Sequence, residues 1–528
     1  MRADLTRGSL AVVRVHWRTA WPSLLAWPLG LALMIIATGR GIVALYPTLA
    51  DRVQYAGTAG FSPGAVALNG RWGDLETLGG ITTNEVGFLG LLLLPIAGIH
   101  LGVARTRREE DSGRTELLTA GVIGRLAPVL GAALAAALAV AGFGLLTGVG
   151  LWAVGLPGAG SARYAGLEAL FVLAWLGLGL TCAEVSRDAR TAQGLGYALV
   201  LAVYLTRTAV DAAGWRLPWS TPMAWLPEAA PYGQSAWWPY AALGSLALTG
   251  LLVASVVHLR RDLGGGLLAP RPGPRRGAAR LGTPHGYAVR LTRGMAAAWL
   301  VGLVAWGAAL GALTEEMAGF ADGNPQLLAI LGVDRAEDLV IAMASIVAGL
   351  GVSAMALQGV GRLAAEEVSG RLGLVLAGRA TPRRVSMVWT GVLIGQAAVV
   401  ILCQAVAFGV AAAAVTGEWG SLTSSLGAAL VLAVPVLLVL SIGLAALVVR
   451  PRLIVAGWLV VGWGAVVAFL AQALDLPSWA RDLSPFAAVG QVPVEDARGW
   501  VVAGVAAAAA GCMAGASIMI GRRDLIHG

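Results

Sequence analysis

The sequence has no lysine: all 37 of its basic side chains are arginine. A phosphate-binding loop of the Gly-x-x-x-x-Gly-Lys-Ser/Thr type needs its lysine to reach the phosphates, so the chain cannot build that ATP site itself. Charge of both signs is scarce. Only 12% of residues are charged, against about 25% in a soluble globular protein, which places most of the chain in lipid. The cysteines, Cys182, Cys403 and Cys512, all fall inside apolar runs and provide neither a disulfide framework nor a metal spacing. The histidines, His16, His100, His258, His285 and His527, are too far apart to form a zinc pair at helical spacing. No serine sits between glycines after a strand, as a hydrolase nucleophile would. No catalytic residue and no metal site is expected, and the glycines at 264–266 read as tether. The net charge of +8 does not point to nucleic acid, because the arginines lie scattered between apolar runs, where they act as topology signals and headgroup contacts.

What the chain has in abundance is apolar sequence, 57% of residues, with a mean hydropathy of +0.76. About 20 apolar residues span a bilayer. Twelve runs qualify: about 22–44, 86–104, 124–155, 164–184, 190–211, 237–258, 294–314, 339–361, 386–415, 422–449, 453–474 and 499–521. The first lacks a cleavage site and reads as a retained span rather than a signal peptide. Ahead of it, Leu10, Val13 and Trp17 share one helical face and Arg7, Arg14 and Arg18 another, which predicts an amphipathic helix lying in the membrane interface. With twelve spans and a cytoplasmic N-terminus, 28 arginines fall on the inner side and nine on the outer. That asymmetry predicts both termini inside.

The predicted fold is an all-α polytopic membrane protein. Its parts are an interfacial amphipathic helix (1–21), a first six-span half (22–258), an Arg/Pro/Gly-rich cytoplasmic linker (259–292) and a second six-span half (293–528). The linker reads as an extended tether. Six spans per half give both halves the same orientation, hence parallel repeats with pseudo-twofold symmetry about the membrane normal.

The duplication is visible in the residues. Residues 109–121 read Glu-Glu-Asp-Ser-Gly-Arg-Thr-Glu-Leu-Leu-Thr-Ala-Gly, and residues 366–378 read Glu-Glu-Val-Ser-Gly-Arg-Leu-Gly-Leu-Val-Leu-Ala-Gly; eight of thirteen positions agree. Each copy follows an apolar run and precedes another, which argues for one job done twice. Glu109, Glu110, Ser112, Gly113 and Arg114, with Glu366, Glu367, Ser369, Gly370 and Arg371, are the candidate site. Both stretches read as short cytoplasmic helices that dock on a partner. The glutamates would lie at a helix N-terminus, Arg114 and Arg371 would pair across the contact, and Leu117-Leu118 and Leu374-Val375 would give an apolar anchor. A second match, Trp219-Ser-Thr-Pro-Met-Ala-Trp before span six and Leu483-Ser-Pro-Phe-Ala-Ala-Val before span twelve, predicts a proline turn on the outer side. Tryptophans 215, 219, 225, 237 and 238 crowd that loop as an interfacial belt. Segments 46–85 and 316–338 read as short surface or re-entrant helices.

Within the spans His100, Glu168, Glu184 and Arg207 are ionisable, and Gln358, Gln396, Gln404 and Gln472 add neutral polar groups. Glu168, Arg207, Gln396 and Gln404 are candidates for a substrate path. The simpler expectations are that Arg207 pairs with Asp211 one turn on and that the glutamines hold helices together.

The repeated Glu-Glu-x-Ser-Gly-Arg, together with Ser220-Thr-Pro-Met-Ala-Trp, Pro231-Tyr232 and Trp237-Trp238-Pro239, resembles the permeases of actinobacterial ABC-type exporters of polyketide antibiotics and multiple drugs. That family usually carries Ser-Pro-Leu-Gly-Trp where this chain has Thr before the proline. The resemblance covers essentially the whole chain. It implies a type V exporter fold in which a separate cytoplasmic ATPase, a homodimer holding the ATP and Mg, sits beneath one fused permease in the bacterial cytoplasmic membrane. The stretches 109–121 and 366–378 would then be its two coupling helices, and amphipathic drugs, antibiotics or lipids would move outward by alternating access. The chain itself would be no enzyme and bind no cofactor. The alternative is a twelve-span secondary transporter of the major-facilitator type, whose Gly-x-x-x-Asp-Arg/Lys-x-Gly-Arg/Lys loop is absent. A membrane enzyme would need paired outer acids; Asp74/Glu76 and Glu315/Glu316 read as solvated surface.

Overall fold

The computed structural model describes residues 5–59, 63–121, 123–267, 279–315, 335–377, 380–471 and 476–521, and every regular element among them is helical. Among the described residues twelve helices are long and apolar enough to cross a membrane, one for each predicted run. The chain is a multi-pass, all-α membrane protein. It divides into two compact units, Met1–Gly273 and Pro274–Gly528, with the boundary inside the stretch read as a linker.

The first unit comprises α1 (Ser9–Leu45), α2 (Leu49–Ala59), α3 (Pro63–Asn69), α4 (Leu78–Arg105), α5 (Arg107–Asp111), α6 (Arg114–Thr119), α7 (Ala127–Ala153), α8 (Gly158–Val185), α9 (Ala189–Ala212), α10 (Trp225–Glu228) and α11 (Trp238–Arg260). The second comprises α12 (Pro284–Ala312), α13 (Ala336–Val368), α14 (Arg371–Leu376), α15 (Pro382–Thr416), α16 (Gly420–Val449), α17 (Val455–Leu470), α18 (Ser478–Asp482), α19 (Pro485–Ala488) and α20 (Gly499–Ile520). In the first unit α8 packs on α4, α7, α9 and α11; in the second α16 packs on α13, α15, α17 and α20. The pairs α1–α7 and α1–α4 have counterparts in α12–α15 and α12–α13. Each span therefore has a partner in the other unit with the same set of neighbours, which is the duplication in three dimensions.

Lipid-like surroundings supply no hydrophobic force between helices, so close backbone approach has to hold them. A Cβ on Gly250 of α11 would lie 2.5 Å from the Gly177 carbonyl carbon of α8, and one on Gly311 of α12 would lie 2.3 Å from the Phe408 oxygen of α15. The glutamines add bridges. Gln396 Nε2 donates to Thr292 Oγ1 at 2.9 Å and Trp299 Nε1 donates to Gln358 Oε1 at 3.1 Å, joining α12 to α15 and to α13.

The predicted interfacial helix is the start of α1, set off from the span by a break at Ala20 (φ −136°, ψ 15°). Its packed face is Val12, Val13 and His16, while Leu10 is exposed; the heptad-like face read from sequence is rotated by about one residue. Segment 46–85 forms α2 and α3 as expected, and residues 316–334 lie outside the described residues, with Glu316 among them. The linker is shorter than 259–292. Arg261 to Gly265 is hydrogen-bonded into the first unit, and α12 already begins at Pro284; residues 268–278 lie outside the described residues. Ahead of spans six and twelve the residue after each repeated proline, Met223 and Phe486 respectively, is buried. Trp219 stacks on Trp238 with centroids 4.3 Å apart.

Candidate functional site: two Ser-Gly-Arg elbows

Both repeated stretches fold into the same elbow. In the first, α5 ends at Asp111, Ser112 follows, Gly113 takes φ +74°, and α6 starts at Arg114. In the second, α13 ends at Val368, Gly370 takes φ +72°, and α14 starts at Arg371. The left-handed conformation that closes a helix C-terminus favours glycine, which is why the repeat fixes one here. Gly113 N donates to Glu110 O and Gly370 N to Glu367 O, each at 2.9 Å. Ser112 Oγ donates to Glu109 O at 2.8 Å and Ser369 Oγ to Glu366 O at 3.2 Å, capturing a carbonyl that the turn would leave open.

The glutamates differ between the copies: Glu109 and Glu110 lie in the first turn of α5, as expected. Glu366 and Glu367 occupy the last turn of α13, where the macrodipole disfavours carboxylates, and arginines compensate instead. Arg371 Nη2 lies 2.7 Å from Glu366 Oε1 and Arg114 Nε lies 3.1 Å from Glu109 Oε2. The two arginines are thus staples across their own elbow rather than contacts left for a partner. Bonding to Glu366, the largest influence on it, raises the pKa of the Arg371 guanidinium.

Glu110 is buried. It accepts from Arg261 Nη1 and Nη2 at 2.7 Å each and from Gly264 N at 2.6 Å, and it pairs with Arg107 at 3.0 Å. Arg261 Nε also bonds Glu184, which in turn meets His258 Nδ1 at 3.1 Å. Burial alone would lower the Arg261 pKa, but bonds to Glu110 and Glu184 hold it above the usual arginine value. Sequence reasoning missed this network, though a signal existed: Arg-Arg-Asp-Leu occurs at 260–263 and again at 522–525, the second copy outside the described residues. Glu367, the counterpart of Glu110, is also buried. Gly378, which closes the second stretch, lies outside the described residues.

After these pairings the elbows present matched faces. Thr115 and Leu372, at the same repeat position, are buried at 6% and 5% exposure, whereas Leu117 and Leu374 are 78% and 80% exposed. Each short helix is held by one face and carries a bare leucine on the other.

Of the four path candidates, Glu168 and Arg207 belong to the first unit and Gln396 and Gln404 to the second. Glu168 is buried in α8 one turn from Tyr164, and among the described residues neither its Oε2 nor the Tyr164 hydroxyl has a hydrogen-bond partner. Arg207 pairs with Asp211 at 3.0 Å and donates to the Ala67 and Leu68 carbonyls at 2.7 and 2.8 Å; it clamps the end of α3 onto α9. Gln396 bridges to α12, and Gln404 is buried on α15, where a Cβ on Gly307 of α12 would lie 2.6 Å from its backbone oxygen. Gln472 lies outside the described residues. Among the described residues no group of His, Cys, Asp or Glu side chains is placed to hold a metal ion.

Residues 281–519 match the family model described as the C-terminal domain of the multidrug efflux system permease Rv1217c. The chain is also 28% identical over 498 residues to the multidrug efflux system permease protein Rv1217c of Mycobacterium tuberculosis, covering 92% of this chain and 89% of that protein. Along nearly its whole length, this multi-pass chain is similar to a multidrug efflux system permease.

Proposed function

We propose that the chain is the membrane subunit of an ATP-driven ABC-type exporter, with α6 and α14 as the helices on which a separate cytoplasmic ATPase dimer docks. The observation that carries this reading is the pair of bare leucines, Leu117 and Leu374, at one repeat position in both units. A monomer gains nothing by exposing the same large apolar side chain twice at the tips of short polar elbows, but a helix-in-groove contact uses it as an anchor. Such a contact keeps ATP and Mg on the partner, consistent with the missing lysine. The elbow's motion passes to the spans through Glu110, Arg261 and Glu184, which tie α5 to the ends of α11 and α8. The cargo is an amphipathic drug, antibiotic or lipid, moved out of the bacterial cytoplasm by alternating access, with both termini cytoplasmic. The two docking contacts are not equivalent, because Glu116 precedes the exposed leucine in one elbow and Gly373 does in the other. The test is co-purification from detergent: the chain should bring down an ABC ATPase in a ratio of about two ATPase copies per chain, and recovery of the chain without one would refute the reading.

A further inference from the structure

We infer that the first unit holds a binding site for the phosphate of a lipid headgroup, in the cavity between the interfacial segment of α1 and the first elbow. The cavity has a volume of about 250 Å³, and its walls include Val12, Val15 and His16 of α1, Arg105 at the end of α4, and Leu118 of α6. Arg105 is 6% exposed, and only its Nη2 is engaged, donating to Ser23 Oγ at 3.0 Å. Its Nε and Nη1 have no hydrogen-bond partner among the described residues.

The acids around it each hold another cation, and Glu109 acts on Arg105 through space without a hydrogen bond to it. Glu109 pairs with Arg114, Glu110 with Arg107 and Arg261, and Glu184 with Arg261 and His258. A buried cation with two open donors is unfavourable until an anion or acceptor meets it, and the planar fork of a guanidinium suits phosphate oxygens. Two features select a lipid. The site opens beside a helix segment built for the membrane interface, before the break at Ala20. Among its other walls, Val12, Val15, Leu118 and Val129 are apolar and suit the glycerol and first acyl carbons below the headgroup, while the paired acids Glu109, Glu110 and Glu184 line it as well.

The experiment uses the delipidated full-length chain, titrated with phosphatidylglycerol, diacylglycerol or inorganic phosphate, with bound ligand counted by native mass spectrometry. Phosphatidylglycerol should bind at one saturable site, and diacylglycerol, which lacks the phosphate, should not. Arg105→Gln should weaken binding by about tenfold or more, Arg105→Lys by less, and Arg335→Gln, an exposed arginine of the second unit, should leave it unchanged. Should Arg105→Gln fail to fold, Arg105→Lys carries the comparison. Equal binding of diacylglycerol, equal affinity in both Arg105 variants and wild type, or displacement of the lipid by equimolar inorganic phosphate would overturn the proposal.

Discussion

Glu110→Gln should lower the unfolding free energy of the detergent-solubilised chain by about 3–5 kcal/mol, the cost of breaking a buried ion pair by removing one partner. Glu110 faces Arg261 and Arg107, and the side chains of all three are at most 6% exposed. Neutralising it leaves two guanidinium groups facing each other without the carboxylate between them, and only Glu184 remains for Arg261. The matched change Glu109→Gln is the control. Its partner Arg114 is 59% exposed in its side chain, so water takes over the charge and the loss stays below about 1 kcal/mol. Adjacent glutamates of one motif should thus differ several-fold in their effect on stability, measured as the midpoint of thermal or denaturant unfolding. Equal effects would mean that the Arg261 network does not hold the first unit together. A charge reversal at Glu110 accordingly acts on stability as well as on any coupling.

The double substitution Leu117→Asp with Leu374→Asp should act in the opposite way. The two side chains are 78% and 80% exposed, so stability should change by less than about 0.5 kcal/mol, as for ordinary surface sites. If each leucine fills a pocket on the ATPase, each charged replacement costs about 2 kcal/mol or more of docking energy, roughly thirtyfold per contact. The double variant should then insert and fold normally while substrate-stimulated ATP hydrolysis falls to the level of the isolated ATPase. The single variants should differ from each other, since Glu116 flanks one leucine and Gly373 borders the other. Wild-type stimulation in the double variant would remove α6 and α14 from the docking surface.

The spans were legible because hydropathy is a property of each run by itself, and lipid leaves few alternatives to a helix. Their polar extensions were not: residues 284–292 of α12 carry His285 and Arg290, which read as linker yet continue the helix. The Ser-Gly turn was legible as a repeat, and Glu109 and Glu110 do fall in the first turn of α5, but Glu366 and Glu367 close α13. A Glu-Glu pair favours a helix start by charge alone, whereas the glycine behind it marks a helix end, and in the second copy the glycine decides. Glu110 and Arg207 depend on partners far along the chain, Arg261 at a separation of 151 residues and Ala67 at 140, which no local pattern encodes. The exposure of Leu117 and Leu374 follows from which face of each elbow is anchored, and only the fold shows that.

The most direct measurement of the central claim is transport in proteoliposomes containing the chain with and without the ABC ATPase, using an amphipathic fluorescent dye as cargo. Dye should be concentrated across the membrane only when the ATPase and ATP are both present, and an imposed proton or sodium gradient should have no effect on the chain alone. Uptake driven by such a gradient in the absence of the ATPase would contradict the account.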